Sequence, residues 1–294
     1  MKKEETQVMK TKGNKLFNRV ASFMLAMVMV LSVFAAMPTE VAAADVKSIA
    51  GKGTSSVTYT DEETYDPYGY YYMAENYIKF TAKNTGYVTV KMTNASTLGY
   101  ADGYVALCDY KKAPLNATNE YWNTGYDKAA YYTRTFGVKK GKTYYIKVES
   151  TCGVTVTATF KTVKKANNSS KKKAATLNKN KKVTGVIVAG DKTVDWYKIK
   201  VTNDKQKVKI TYSGKTNGNL TSNDGIKVTF CDSKGKVWYS EGAAVSPWVS
   251  SRTYKAWCTV NGKVTGVGAG TYYIKVERSA KTSSGTYTLK WSTY

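Results

Sequence analysis

Thr143-Tyr144-Tyr145-Ile146-Lys147-Val148-Glu149 and Thr271-Tyr272-Tyr273-Ile274-Lys275-Val276-Glu277 are the same seven residues, TYYIKVE, set 128 positions apart. Within each copy apolar and polar residues alternate, which is the mark of a strand with one face buried and one wet. Tyr144, Ile146 and Val148, and likewise Tyr272, Ile274 and Val276, are the expected inner face. An identity this long at one fixed offset reads as an internal repeat.

Working outward, each half yields the same series. Ile78 and Phe80 flank Lys79, and Val88, Val90 and Met92 alternate with Thr89 and Lys91; in the second half Tyr197, Ile199 and Val201 precede Val208, Ile210 and Tyr212. A short polar stretch separates the two segments in each copy, 83–86 and 203–206, and reads as a hairpin turn. Val105 and Leu107 lead into Cys108-Asp109, as Val228 and Phe230 lead into Cys231-Asp232. A last alternating segment closes each half: Val154, Val156, Ala158 and Phe160, then Tyr287, Leu289 and Trp291.

Two runs of short strands, each about 120 residues and without helical period, predict an all-β chain. The expected form is two tandem antiparallel β-sandwich, jelly-roll-like modules, 45–163 and 174–294. Between them 164–173, with its Lys, Asn and Ser residues, reads as a solvated linker.

The first 44 residues read differently. Lys2, Lys3, Lys10, Lys12, Lys15 and Arg19 precede an apolar run from Val20 to Phe34, and Ala42-Ala43-Ala44 offers small residues for cleavage. This predicts a signal peptide and a secreted, extracellular chain, held at the cell surface in one reading, with no membrane span after cleavage. The competing reading is an uncleaved anchor, since Val20 to Thr39 carries no charge. Without the leader's six basic and three acidic residues the chain keeps a formal +21, against +24 for the whole. Such charge favours anionic polymers as partners or a self-repelling surface.

Histidine is absent. That excludes Ser-His-Asp and Cys-His catalysis and any His-based zinc site. Four cysteines, Cys108, Cys152, Cys231 and Cys258, permit two disulfides in three pairings, with one bridge per module the simplest and free thiols the alternative.

From Ala174 the second half carries Ala174-Ala175, Val183-Thr184-Gly185-Val186-Ile187, Asp191, Asp195-Trp196-Tyr197, a CDSKGK turn, Gly270-Thr271-Tyr272-Tyr273 and Ser284-Gly285-Thr286-Tyr287. This series resembles the bacterial pre-peptidase C-terminal domain. The first half resembles it as a diverged copy, with Glu75-Asn76-Tyr77 in the Asp-Trp-Tyr place and no small-residue start. The resemblance implies a β-sandwich that rides on secreted peptidases as a non-catalytic appendage for export, folding or substrate attachment. Here no peptidase precedes the modules. Asp191 with Asp195 before the matching strand of the second half, and the cluster Asp61, Glu62, Glu63 and Asp66 in the first, are candidate calcium ligands, and the resemblance extends to related collagen-binding modules that carry calcium near their amino-terminal edge. Metal-free acidic turns are the expected outcome, so no cofactor is expected and calcium is the alternative.

Aromatic residues in the inserts point to binding. Tyr70, Tyr72, Trp122, Tyr126, Trp248 and Trp257 are the candidate ligand-binding rings, able to stack on sugar rings or apolar peptide, or else to cap the core. Lysines on outer strand faces, among them Lys198, Lys200, Lys207, Lys209, Lys227, Lys275 and Lys290, offer a basic sheet or simply protect against edge pairing. No catalytic carboxylate pair stands in a known motif, and no nucleic-acid module is visible, so no enzyme and no specific nucleic-acid partner is expected. The sequence thus predicts a secreted, non-catalytic protein that binds an extracellular glycan, an anionic wall polymer or a protein substrate. A spacer held to the wall by charge alone is the alternative.

Overall fold

The alternation in TYYIKVE becomes the middle strand of a sheet in both halves. The computed structural model describes residues 46–61, 73–97, 99–116, 120–164, 166–217 and 225–294. Strand β8 (Thr143–Ser150) buries Tyr144, Ile146 and Val148 and turns Tyr145, Lys147 and Glu149 outward. Antiparallel β3 (Ala74–Thr81) and β5 (Ala101–Cys108) flank it. Short parallel β1 (Val46–Ser48) lies outside β3, and β6 (Glu120–Gly125) outside β5. The facing sheet has the order β2 (Thr54–Tyr59), β9 (Val154–Thr162), β4 (Gly86–Asn94), β7 (Tyr131–Val138). Ile78, Phe80, Leu107 and Ile146 from the first sheet meet Val88, Val90, Phe136 and Val156 from the second in one buried cluster.

The second half is wired the same way. Its first sheet runs β10 (Ala175–Thr176), β12 (Val194–Val201), β19 (Gly270–Arg278), β14 (Ile226–Cys231), β15 (Val237–Glu241), with β10 again short and parallel. The facing sheet runs β11 (Lys182–Ile187), β20 (Gly285–Thr293), β13 (Val208–Thr216), β16 (Ser251–Ala256). A separate two-stranded hairpin, β17 (Cys258–Val260) and β18 (Lys263–Thr265), belongs to neither. The chain is all-β, and among the described residues its regular helical structure is one 3-10 turn at Lys171–Lys173.

Three sequence expectations change. The polar stretches 83–86 and 203–206 are not hairpin turns. β3 pairs with β8 and β4 with β7 and β9, so each stretch carries the chain across the core from one sheet to the other. An arch of this kind leaves the same alternation on both strands as a hairpin would. Second, cross-strand register corrects the alignment of the halves. Asn76 stands opposite Val148 as Asp195 stands opposite Val276, so Asn76-Tyr77-Ile78 matches Asp195-Trp196-Tyr197, one residue later than the sequence reading. Third, the stretch 164–173 is not wholly solvated: Asn168 is buried, its carbonyl accepts from Trp196 N at 2.8 Å and its Nδ2 donates to Trp196 O at 3.1 Å.

The cysteines all stand as free thiols in the structure, the alternative to one bridge per module. Cys108 lies opposite Tyr145 on β8, as Cys231 lies opposite Tyr273 on β19. Cys152 follows the far end of β8, where Ser150 stands about 17 Å along the strand from Tyr145. Disulfide Cα atoms lie within about 7 Å of each other. Cys258 sits on the separate hairpin, its Sγ donating to Gly266 O at 3.0 Å. Burial pushes the Cys108 thiol up to about 12 and the Cys231 thiol up to about 11, because the charged thiolate would lose its water. The leader read at 1–44 lies outside the described residues, and among those described no helix is long and apolar enough to cross a membrane.

Candidate functional site

The two sandwiches abut along the edge strand β7. Gly137 pairs with Val188 in a parallel bridge, and Ala189 N donates to Gly137 O at 2.9 Å. A Cβ on Gly137 would stand 2.0 Å from Ile187 O, so only glycine allows the two backbones this close. Val163, Val186 and Val188 bury against one another beside Tyr87.

Beside this contact a cavity of about 530 Å³ opens between β7 and the second sandwich. One wall is Tyr131, Tyr132, Thr133 and Arg134; the other is Lys215, Thr216 and the loop Ser246-Pro247-Trp248 with Ser250. A neighbouring hollow of about 410 Å³ shares Gly214, Lys215 and Ser250 with it and reaches Tyr87, Thr184 and Thr288. Together they make a groove along the junction, floored by hydroxyls and walled by rings. Among the described residues none that lines it is acidic.

Local sequence explains how the walls form. Alternation along β7 exposes Tyr131 and Thr133 and buries Arg134. Opposite, Ser246 and Val249 exchange backbone hydrogen bonds at 3.0 and 3.2 Å, and Ser246 Oγ accepts from Val249 N at 3.2 Å. Pro247 fixes φ in this tight turn, which presents Trp248 at its tip. Tyr131 and Trp248 are 61% and 57% exposed.

Arg134 ties the walls together. Its Cζ lies 3.9 Å from the Tyr132 ring centroid and 5.8 Å from that of Trp248. Its Nη1 donates to Thr133 O at 2.8 Å, and its Nε faces Glu120 Oε2 at 3.1 Å. Burial pushes the guanidinium pKa down, and Glu120 acts against that shift. The other carboxylate oxygen, Glu120 Oε1, accepts from Asn116 Nδ2 at 2.8 Å and from Asn217 Nδ2 at 3.4 Å. Asn217 in turn accepts from Ser284 N and Oγ at 2.6 and 2.8 Å. A buried polar chain therefore runs from the first sandwich into the second beneath the groove.

The ligand-binding rings expected from sequence do not converge. Trp248 lies in the groove. Trp122 is removed from the candidates: it is 0% exposed and part of the first core. Its insert is strand β6, on which Glu120, Trp122 and Thr124 point inward. Tyr126 is exposed and packs on Tyr100 with ring centroids 5.3 Å apart, away from the groove lining. Trp257 sits beside Tyr239 at the base of the β17–β18 hairpin, at 6.2 Å. Tyr70 and Tyr72 lie outside the described residues.

The candidate calcium pair is likewise divided. Asp195 is buried and its Oδ2 accepts from Tyr287 at 2.8 Å, while half-buried Asp191 faces Lys139 Nζ at 3.4 Å. Asp61 is engaged by the backbone and side chain of Thr97 and by Gly153 N, each at 2.6 Å. Glu62, Glu63 and Asp66 lie outside the described residues. Among the described residues no group of three or more Cys, Asp or Glu side chains gathers as a metal site. Sequence reading missed Arg134 and Lys215. One signal was available: arginine occurs four times in the chain against 41 lysines, and a rare planar guanidinium marks a place where stacking and directed hydrogen bonds are wanted.

No protein-family model matches the chain. No curated protein sequence matches it either. Solved structures of similar fold include the pre-peptidase C-terminal domain of a collagenase from Bacillus anthracis. It is 19% identical, covers 40% of this chain and 93% of its own, and has a TM-score of 0.28. PliG from Salmonella Typhimurium, a periplasmic inhibitor of g-type lysozyme, is 19% identical over 41% of this chain and 99% of its own, with a TM-score of 0.24. The tandem CBM22 domains of Xyn10C from Paenibacillus barcinonensis are 9% identical over 82% of this chain and 94% of their own, with a TM-score of 0.24.

Proposed function

We propose that this chain is a secreted, non-catalytic binding protein that holds an extracellular polysaccharide in the groove between its two sandwiches. The observation that carries the reading is the placement of Tyr131 and Trp248, two exposed rings on opposite walls with Arg134 fixed between Trp248 and Tyr132. Flat rings stack on the C–H faces of sugars, and the Thr and Ser hydroxyls of the floor suit their hydroxyl groups. Because Arg134 is held by Glu120 and Thr133 before any ligand arrives, little ordering entropy remains to be lost on binding.

Equal strand order and register support reading the halves as two copies of one module. On that reading the groove is a product of pairing the copies, since each contributes one wall. Lys215 in the lining and the formal charge of +21 without the leader favour polymers carrying some negative charge.

The test is retention of residues 45–294 on a panel of purified polysaccharides and cell-envelope material, at low and high salt, with Trp248→Ala alongside. The proposal expects saturable retention that survives high salt and is lost in Trp248→Ala. Retention that vanishes in salt and ignores Trp248→Ala would instead favour attachment by charge alone.

A further inference from the structure

The β17–β18 hairpin stands apart from the four sandwich sheets. Its strands pair Cys258 with Thr265, Thr259 with Val264 and Val260 with Lys263. Asn261 and Gly262, at φ 50° and 75°, close it as the tight two-residue turn that Asn-Gly favours. Every residue from Thr259 to Val264 is exposed, so both faces of the ribbon are open to solvent.

Both faces also carry an aliphatic residue. Val264 shares one face with Thr259 and Val260 shares the other with Lys263, and each valine is 56% exposed. At the base, Trp257 and Tyr239 expose their rings, while Trp238 Nε1 donates to Trp257 O at 3.1 Å and ties the base to strand β15. Chain positions 242–276 contain no Asp or Glu but carry Arg252, Lys255, Lys263 and Lys275.

These features select one kind of occupant. A groove on a folded partner covers one face of a ribbon and leaves the other wet, whereas a lipid interface surrounds an inserted tip on both faces. Trp and Tyr prefer the headgroup level, and lysines beside exposed valines are drawn to anionic headgroups. We propose that the β17–β18 hairpin is a lipid-binding finger. Val260 and Val264 enter the boundary between headgroups and acyl chains of an anionic membrane surface, Trp257 and Tyr239 rest at the interface, and Lys255 and Lys263 face the headgroups. One finger with two valines gives reversible attachment, not permanent anchorage.

The test is sedimentation of residues 45–294 with vesicles of phosphatidylcholine, with and without phosphatidylglycerol. Association is expected with the phosphatidylglycerol vesicles, weakened about tenfold or more in the double variant Val260→Asp, Val264→Asp. Because both valines are exposed, the variant is expected to keep its circular dichroism spectrum. Trp248→Ala is expected to bind vesicles as the unaltered protein does, which separates this site from the groove. No association with either vesicle, or equal association by the double variant, overturns the proposal. So does a dimer, without vesicle binding, that the double variant abolishes, since the finger would then serve a second copy of this chain.

Discussion

Glu120 and Arg134 face each other at 3.1 Å with side chains 0% and 7% exposed, one on β6 and the other on β7. Those strands belong to opposite sheets of the first sandwich, so the ion pair spans its end. Asn217 Nδ2 then carries the contact from Glu120 into the second sandwich. Charges this deep are stable together and costly apart.

Glu120→Gln leaves the guanidinium buried without its counter-charge and is expected to lower the unfolding free energy by about 3–5 kcal/mol. Arg134→Met alone is expected to cost a similar amount. Combining the two should recover much of the loss, because no unpaired charge then remains. Urea unfolding of the four proteins gives the coupling directly.

Trp122 and Trp248 should behave as opposites. Trp122→Ala empties part of the first core and is expected to cost about 3–5 kcal/mol. Trp248→Ala removes an exposed ring at a turn tip and is expected to change stability by less than about 0.5 kcal/mol. Thermal unfolding of both variants checks this without any ligand.

Asp61 supplies an acid-sensitive contact. Partial burial would raise its carboxyl, but hydrogen bonds from Thr97 and Gly153 bring it down from 3.8 to about 2. A group depressed in the folded state stabilises fully above its unfolded value and loses that contribution as pH falls through the folded one. The loss is therefore expected between about pH 4 and about pH 2. Asp61→Asn should flatten the fall in melting temperature over that window; an unchanged slope would remove Asp61 from the acid response.

The free thiols predict a labelling pattern. Under native conditions at neutral pH an alkylating reagent should reach half-buried Cys152 and Cys258 and spare buried Cys108 and Cys231. In denaturant all four should react without prior reduction. Mass spectrometry of the labelled chain reads both results.

Strand identity was legible because burial is read one residue at a time. The inward Tyr144, Ile146 and Val148 of β8 and the matching Cys108 and Cys231 follow from alternation alone. Partnership was not legible. β3 and β4 look like a hairpin on either wiring, and only the pairing of Asn76 with Val148 shows where β3 goes. Trp122 was hidden for a related reason: its inward neighbours on β6 are Glu120 and Thr124, so the inner face of that strand does not look apolar. Arg134 was hidden because its surroundings come from strand β6 and from the loop carrying Trp248, which no local pattern brings together.

The central claim is that the junction groove, and not the rings at the base of the β17–β18 hairpin, holds the polymer. Calorimetric titration of the best-retained polysaccharide into the unaltered protein, Trp248→Ala, Tyr131→Ala and Trp257→Ala tests it most directly. Each groove substitution is expected to weaken binding by about 1 kcal/mol or more, with Trp257→Ala binding as the unaltered protein does. Equal affinity in Trp248→Ala and Tyr131→Ala, or loss confined to Trp257→Ala, would contradict it.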